Sequence, residues 1–203
     1  EQTATMSLDS DLVATIAYDT SGELAGVTYP FGTLGNLIKT PSGELLGNTW
    51  TIGTRNFTEE LTRSQSGRIT ASQWTDSTTP TAPTGWAYTY DPVGRLTQAV
   101  VAAAGTRPQV TFGYSFTPTG CGADTAAGAN GSRTTSTTQI GTGPAQTSTH
   151  CYDHASRLTQ VTGTNPIQPG DITYDPHGNA TRIGDQTFIY DAADRVTGTG
   201  PDG

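Results

Sequence analysis

YDPHGNAT (residues 174–181) is followed sixteen positions later by YDAADRVT (residues 190–197), and this repetition decides the fold. The same frame, Tyr-Asp-x-x-Gly-Arg/Asn-apolar-Thr, recurs as YDTSGELA from Tyr18, YDPVGRLT from Tyr90 and YDHASRLT from Tyr152, and without its Tyr-Asp as SGRIT around Gly67. A unit that recurs along the chain cannot bury a face alone, so the architecture is an array and function belongs to the array. Within a unit, Phe188 and Tyr190 alternate with Thr187 and Ile189, the period-2 signature of a strand with two unequal faces, and Val196 resumes the pattern after a turn.

The residues between the strands have turn chemistry. The Asp of each frame (Asp19, Asp91, Asp153, Asp175, Asp191) accepts from backbone amides two residues on, Pro92 and Pro176 preset φ, and Gly22, Gly94 and Gly178 supply positive φ. Asp-x-x-Gly therefore reads as a three- to five-residue hairpin loop with a bulge. Asp194 and Ser156 stand where the other units have Gly; Asp tolerates the left-handed region and Ser does so less well, which marks Ser156 as the least ideal turn. The following Arg (Arg95, Arg157, Arg195) either pairs with the turn Asp or covers the preceding Tyr ring. The Tyr-Asp and turn residues Tyr18, Asp19, Gly22, Tyr90, Asp91, Gly94, Tyr152, Asp153, Tyr174, Asp175, Gly178, Tyr190, Asp191 and Asp194 are read as structural.

The frame resembles the YD repeat of the rearrangement-hotspot (RHS) family, whose relatives include teneurins and the C components of insecticidal toxin complexes. The likeness is carried by VATIAYDTSGELAGVTYP near the start, TRSQSGRIT, PTGWAYTYDPVGRLT and a nearly unbroken run from His150 to Gly203. The resemblance implies a long antiparallel β-hairpin ribbon, a segment of a β-cocoon that encloses a C-terminal cargo, often a toxin. Some members free that cargo through an aspartyl self-cleavage segment, but nothing here matches its core motif, so no catalytic residue is carried over.

Composition agrees with a ribbon. Leu, Ile, Val and Phe make up only 32 of 203 residues, low enough to raise disorder, but the formal charge is a modest −8 and the polar excess is mostly Thr, with 40 residues. Thr favours strands, and the 25 Gly and 12 Pro fall largely between periodic segments. The expectation is an all-β chain with essentially no helix. Roughly 12 to 16 strands at about 4.8 Å each give a ribbon on the order of 60–75 Å wide, too narrow to close a cocoon by itself and carrying open strand edges. With Glu1 falling in mid-pattern and no signal peptide, the chain reads as a segment of a longer protein. Nine Arg beside one Lys, with much Ala, Gly and Thr, suggest a high-GC bacterial source.

Cys121 and Cys151 bracket a stretch of Gly, Thr, Ala and Ser almost without large apolar residues. Because family members are exported and this stretch has little to pack, a disulfide is favoured over two free thiols; it would stabilise by about 3 kcal/mol and imply an oxidising compartment. Within it, Asn130-Gly131 reads either as a degenerate turn of the array or as a flexible loop.

Other chemistry is sparse. His150, Cys151 and His154 have helical metal-ligand spacing, but Tyr152-Asp153 places them on a strand entering a turn, so no metal is assigned. One turn carboxylate per unit falls short of a calcium cage except between repeats. There is no nucleophile elbow, phosphate loop or dinucleotide fingerprint, and neither enzymatic activity nor a cofactor is assigned. A pI near 4.6 argues against nucleic acid, and no apolar run reaches transmembrane length. Trp50, Trp74 and Trp86 are packing anchors in an apolar-poor chain, with Trp86, Tyr88 and Tyr90 on one strand face; were any a glycan-stacking platform, Trp50 or Trp74 would be chosen.

The expected organisation is one array over residues 1–203: degenerate repeats at 1–60, the Gly67 and Tyr90 units at 61–118, a Cys-bracketed loop at 119–151 and regular repeats at 152–203. Two functional classes remain. One is a structural, non-catalytic shell segment of a secreted or cell-surface protein, partnered by other YD repeats and a polypeptide cargo. The other is an extracellular scaffold that self-assembles through its strand edges or binds glycans.

Overall fold

The computed structural model describes residues 5–8 and 11–201. Glu1 and Gly203, the ends on which the segment reading turned, lie outside the described residues. Seventeen strands and no helix are present among those described, one strand more than the upper expectation. The surplus comes from hairpins with two-residue connections, at Pro30-Phe31, Gly53-Thr54 and Gly184-Asp185, which need no Tyr-Asp frame and so carry no repeat signature. The strands lie in sequence order, thirteen in one antiparallel sheet and four in a second.

The chain divides into two compact units. The first, residues 1–89 and 99–109, contains β1 (Thr5–Leu8), β2 (Asp11–Tyr18), β3 (Leu24–Tyr29), β4 (Gly32–Lys39), β5 (Leu45–Ile52), β6 (Arg55–Arg63), β7 (Ile69–Asp76), all of β8 (Thr84–Tyr90) but its last residue, and the end of β9 (Leu96–Val101). Its register sorts side chains by kind. One row runs Val27, Leu34, Trp50, Phe57, and the neighbouring rows on the same face bring Glu59 beside Trp74 and Ser72 beside Trp86. The opposite face has Thr15, Thr28, Thr33 and Thr51 in one row and Thr49, Thr58 and Thr75 in another. All three tryptophans thus stand on one face and these seven threonines on the other. This is how an apolar-poor chain supports a sheet: the few aromatics share one surface, and β-branched Thr holds the other.

The second unit, residues 90–98 and 110–203, holds the start of β9, β10 (Val110–Ser115), β11 (Thr135–Ile140), β12 (Gln146–Tyr152), β13 (Leu158–Gly163), β14 (Ile172–Tyr174), β15 (Ala180–Ile183), β16 (Gln186–Tyr190) and β17 (Val196–Pro201). The stretch expected as a Cys-bracketed loop is corrected here, because β11 and most of β12 lie inside it. Thr and Ser supply the pairing that apolar residues do not: Thr135 faces Thr149 and Thr137 faces Thr147. Only residues 116–134 form an irregular strap. Its end is the tightest point of the unit, for Thr134 is completely buried and its hydroxyl donates to the carbonyls of Ser115 (3.0 Å) and Thr117 (2.7 Å). Cys151, Val161, Ile172 and Ala127 are the buried apolar residues of this unit.

The turn that follows each Tyr-Asp holds its fifth residue at positive φ, including Gly22 (82°), Gly94 (92°), Gly178 (92°), Ser156 (60°) and Asp194 (58°). At Gly178 nothing lies within 4 Å of where a Cβ would stand, so substitution there meets conformational cost alone. We expect Gly178→Ala to lower stability by about 1–2 kcal/mol in thermal melts and Gly178→Asn by less.

Candidate functional site

The residues that repeat converge on one device, a hairpin turn closed by its own Asp. In the unit from Tyr90, the Asp91 amide donates to the Arg95 carbonyl and the Gly94 amide returns to the Asp91 carbonyl (2.9 Å each). Asp91 Oδ1 then accepts from the amides of Val93 (3.1 Å) and Arg95 (2.8 Å), while Oδ2 takes Arg95 Nε at 2.7 Å. Asp153 with Arg157 and Asp191 with Arg195 repeat the pattern. Asp19 accepts from Ser21 and Glu23 amides, and in the turns at Thr40 and Ser64 a hydroxyl does part of the work. In the unit from Tyr174 the Arg is replaced by Asn179, whose Nδ2 reaches both Asp175 (3.0 Å) and Asp194 (2.8 Å) of the next turn.

Arg157 and Arg95 do two things at once. Each pairs with its own turn Asp, and each covers a ring of a later element rather than the preceding Tyr: Arg157 lies 5.1 Å from the Tyr174 ring centroid and Arg95 4.3 Å from that of Phe116. The Tyr hydroxyls point the other way along the chain. Tyr174 donates to the Leu158 carbonyl (2.9 Å) and Tyr190 to the Ala180 carbonyl (3.0 Å), the equivalent position of the unit before it. Tyr152 donates to Arg133 (2.7 Å). Sequence reasoning did not find this backward bond. The signal was present, since Leu158 and Ala180 each stand six residues after their own Tyr.

These bonds set the protonation of the row. Burial pushes the Asp91 carboxyl up, but the Arg95 amide and guanidinium outweigh it and hold the group below the usual carboxylate range. The Arg157 amide and side chain lower Asp153, and the Arg195 side chain lowers Asp191. For Asp175, burial again opposes and Asn179 prevails. Outside the row, the Arg55 side chain holds Asp76 down at about 2. Burial raises the Tyr152 and Tyr174 phenols.

Beside the row, the strap is tied to β12. Cys121 and Cys151 form a disulfide with Cα atoms 5.1 Å apart across 30 residues of sequence, and the Asp124 amide donates to the Tyr152 carbonyl (3.0 Å). Arg95 donates to the Gly128 carbonyl (2.8 Å), and Asn130 Nδ2 to Ser156 Oγ (2.7 Å). Asn130-Gly131 is thus a turn pinned to the Tyr152 unit. Cys151, being bonded to Cys121, has no thiolate for a metal, and among the described residues no group of three His, Cys, Asp or Glu is placed to hold one.

His150 is buried, with Nδ1 lacking a partner among the described residues and Nε2 3.5 Å from both Arg133 and Ser136 Oγ. Burial, then the Arg133 charge, lower its pKa. His177 is displaced upward by Asp194, 2.9 Å away at the surface. Of the tryptophans, Trp50 stacks on Tyr29 (5.8 Å) and Trp86 on Tyr88 (6.2 Å), whereas Trp74 has no aromatic stacking partner among the described residues.

Two outcomes follow from this geometry. Reducing the Cys121–Cys151 bond, or replacing Cys121 by Ser, is expected to cost about 3 kcal/mol in urea denaturation and to raise hydrogen exchange across residues 116–134. The histidines have opposite signs: the lowered pKa of His150 gives stability that is complete above the unfolded value of about 6.5 and declines as pH falls toward the folded value, whereas the raised pKa of His177 gives stability present below about 6.5 and lost as pH rises through its folded value. On acidification from about pH 7.5 to 5.5 the melting temperature is therefore expected to rise in His150→Gln, where His177 alone acts, and to fall in His177→Gln, where His150 alone acts.

No protein-family model matches the chain, and no curated protein matches it. Among solved structures, it is similar over 90% of its length to a chain of the Photorhabdus luminescens Tc holotoxin pore, with 14% identity and a TM-score of 0.47, and over 93% to a chain of the TcdB2–TccC3 complex lacking its hypervariable C-terminal region, with 15% identity and a TM-score of 0.49. The chain spans 12% of the length of either.

Proposed function

We propose that this chain is a non-catalytic YD-repeat segment of a secreted or cell-surface RHS-type protein, and that it forms part of a β-shell enclosing or presenting a C-terminal polypeptide. The observation that carries the reading is where the repeated polar groups go. Asp91, Asp153, Asp175 and Asp191 spend their carboxylates on their own turns, and Tyr174 and Tyr190 spend their hydroxyls on the preceding unit. Residues repeated for catalysis or ligand capture would leave donors or acceptors pointing outward; these are consumed in holding strands in order. The working residues are thus the Tyr and Asp that fix register, and the product of their work is surface.

A second reading, a scaffold that polymerises by strand pairing, is favoured by β1, β14 and β17, each the terminal strand of its sheet among the described residues. A glycan on such a scaffold would stack on Trp74. Electron microscopy with mass measurement on the native, non-reduced protein separates the readings. Discrete hollow particles of much larger mass, with this sequence as an internal stretch, are expected; ordered fibres built from copies of this chain would replace the shell by edge pairing.

A further inference from the structure

Strands β7 and β8 are joined by Ser77–Pro83, sequence STTPTAP, a connection longer than the Asp turns and made almost wholly of hydroxyl residues and proline. Ser77 to Ala82 are exposed. The four hydroxyls divide into two kinds. Ser77 Oγ accepts the Asn56 amide (3.0 Å), and Thr78 Oγ1 donates to Asp76 Oδ1 (2.9 Å), which also takes the Thr78 amide. Thr79 and Thr81 keep their hydroxyls without a hydrogen-bond partner among the described residues, although the Thr79 backbone is fixed, its amide bound to the Asp76 carbonyl and its carbonyl to the Ala82 amide (3.0 Å each). Pro80 and Pro83 remove two amides and fix φ, so the loop is preset without a ladder of its own.

Threonine and serine interleaved with proline on an exposed segment is the composition of O-glycosylated stretches. We propose that Thr79 and Thr81 are O-glycosylation sites. In the transfer, Thr Oγ1 attacks the anomeric carbon of a glycosyl-phosphate donor, polyprenyl- or nucleotide-linked. The new C1–Oγ1 bond replaces the C1–O bond to phosphate, the phosphate leaves with that electron pair, and the hydroxyl proton passes to a base of the transferase. Ser77 and Thr78 are excluded because their hydroxyls are engaged in closing the loop. Strand threonines such as Thr58 and Thr75 are held in the ladder, where an acceptor cannot be lifted into an enzyme cleft. A bulky sugar at Thr79 and Thr81 would shield an exposed connection of the kind that proteases nick first.

The test is electron-transfer fragmentation mass spectrometry of the peptide spanning 77–83, from full-length protein purified separately from the cytosol and the medium or surface of its own producing cells. The expected result is a hexose-type mass on Thr79 or Thr81 with none on Ser77 or Thr78, lost in the Thr79→Ala/Thr81→Ala double variant at unchanged melting temperature and with faster protease cleavage of the loop. A bare peptide in every fraction, or sugar on Ser77 or Thr78 alone, overturns the proposal. Modification confined to exported protein identifies the polyprenyl donor and modification in the cytosol the nucleotide donor. A glycosylated chain that never leaves the cytosol would retire export but not this site.

Discussion

The structure depends on how each Tyr-Asp pair divides its oxygens. The carboxylate closes the turn it begins, and in the regular repeats the phenol ties that turn to the unit before it, as Tyr190 does to Ala180 and Tyr174 to Leu158. A hairpin alone is marginal in water, and three or more strands with a covered face are normally needed. Here two polar bonds per unit supply much of the register that a thick apolar core would otherwise impose. Among the described residues the buried apolar side chains are few, and they are Ala, Cys, Val and Ile, with no aromatic and no Leu.

Economy of apolar residues also explains the two-faced first unit. With 32 large aliphatic and Phe residues in 203, a second covering layer has little to be built from, so the aromatics gather on one surface where Trp50 lies against Tyr29 and Trp86 against Tyr88. Thr on the other face keeps strand preference without adding apolar area. Arg extends the economy, its guanidinium both pairing with Asp and lying over a ring, as at Arg157 and Tyr174, so one cation secures a turn and a neighbour.

Much of this was legible from residues. The hairpin array, the absence of helix and the turn at each Asp follow from period-2 alternation and from Asp-x-x-Gly, both local signals. What was hidden depends on partners far along the chain. The Thr-rich strands β11 and β12 look like a linker because their pairing is polar, and Thr135 opposite Thr149 has no apolar period to announce it. Two-residue hairpins such as Gly53-Thr54 leave too short a trace to count. The ring that Arg157 covers belongs to Tyr174, seventeen residues on, and no rule of local spacing selects it over Tyr152. Nor does sequence show that Asn179, in place of Arg, bridges two successive turns.

The backward direction of the Tyr bond gives the ribbon a polarity in time. Each regular unit finds its anchoring carbonyl on a unit already made, so a chain emerging from a ribosome or a narrow export channel can consolidate one hairpin after another without waiting for its C-terminus. Neighbour-only contacts of this kind let order propagate along a growing edge. The last unit to emerge is then the one whose forward side awaits a successor, and it makes the ribbon a one-way assembly.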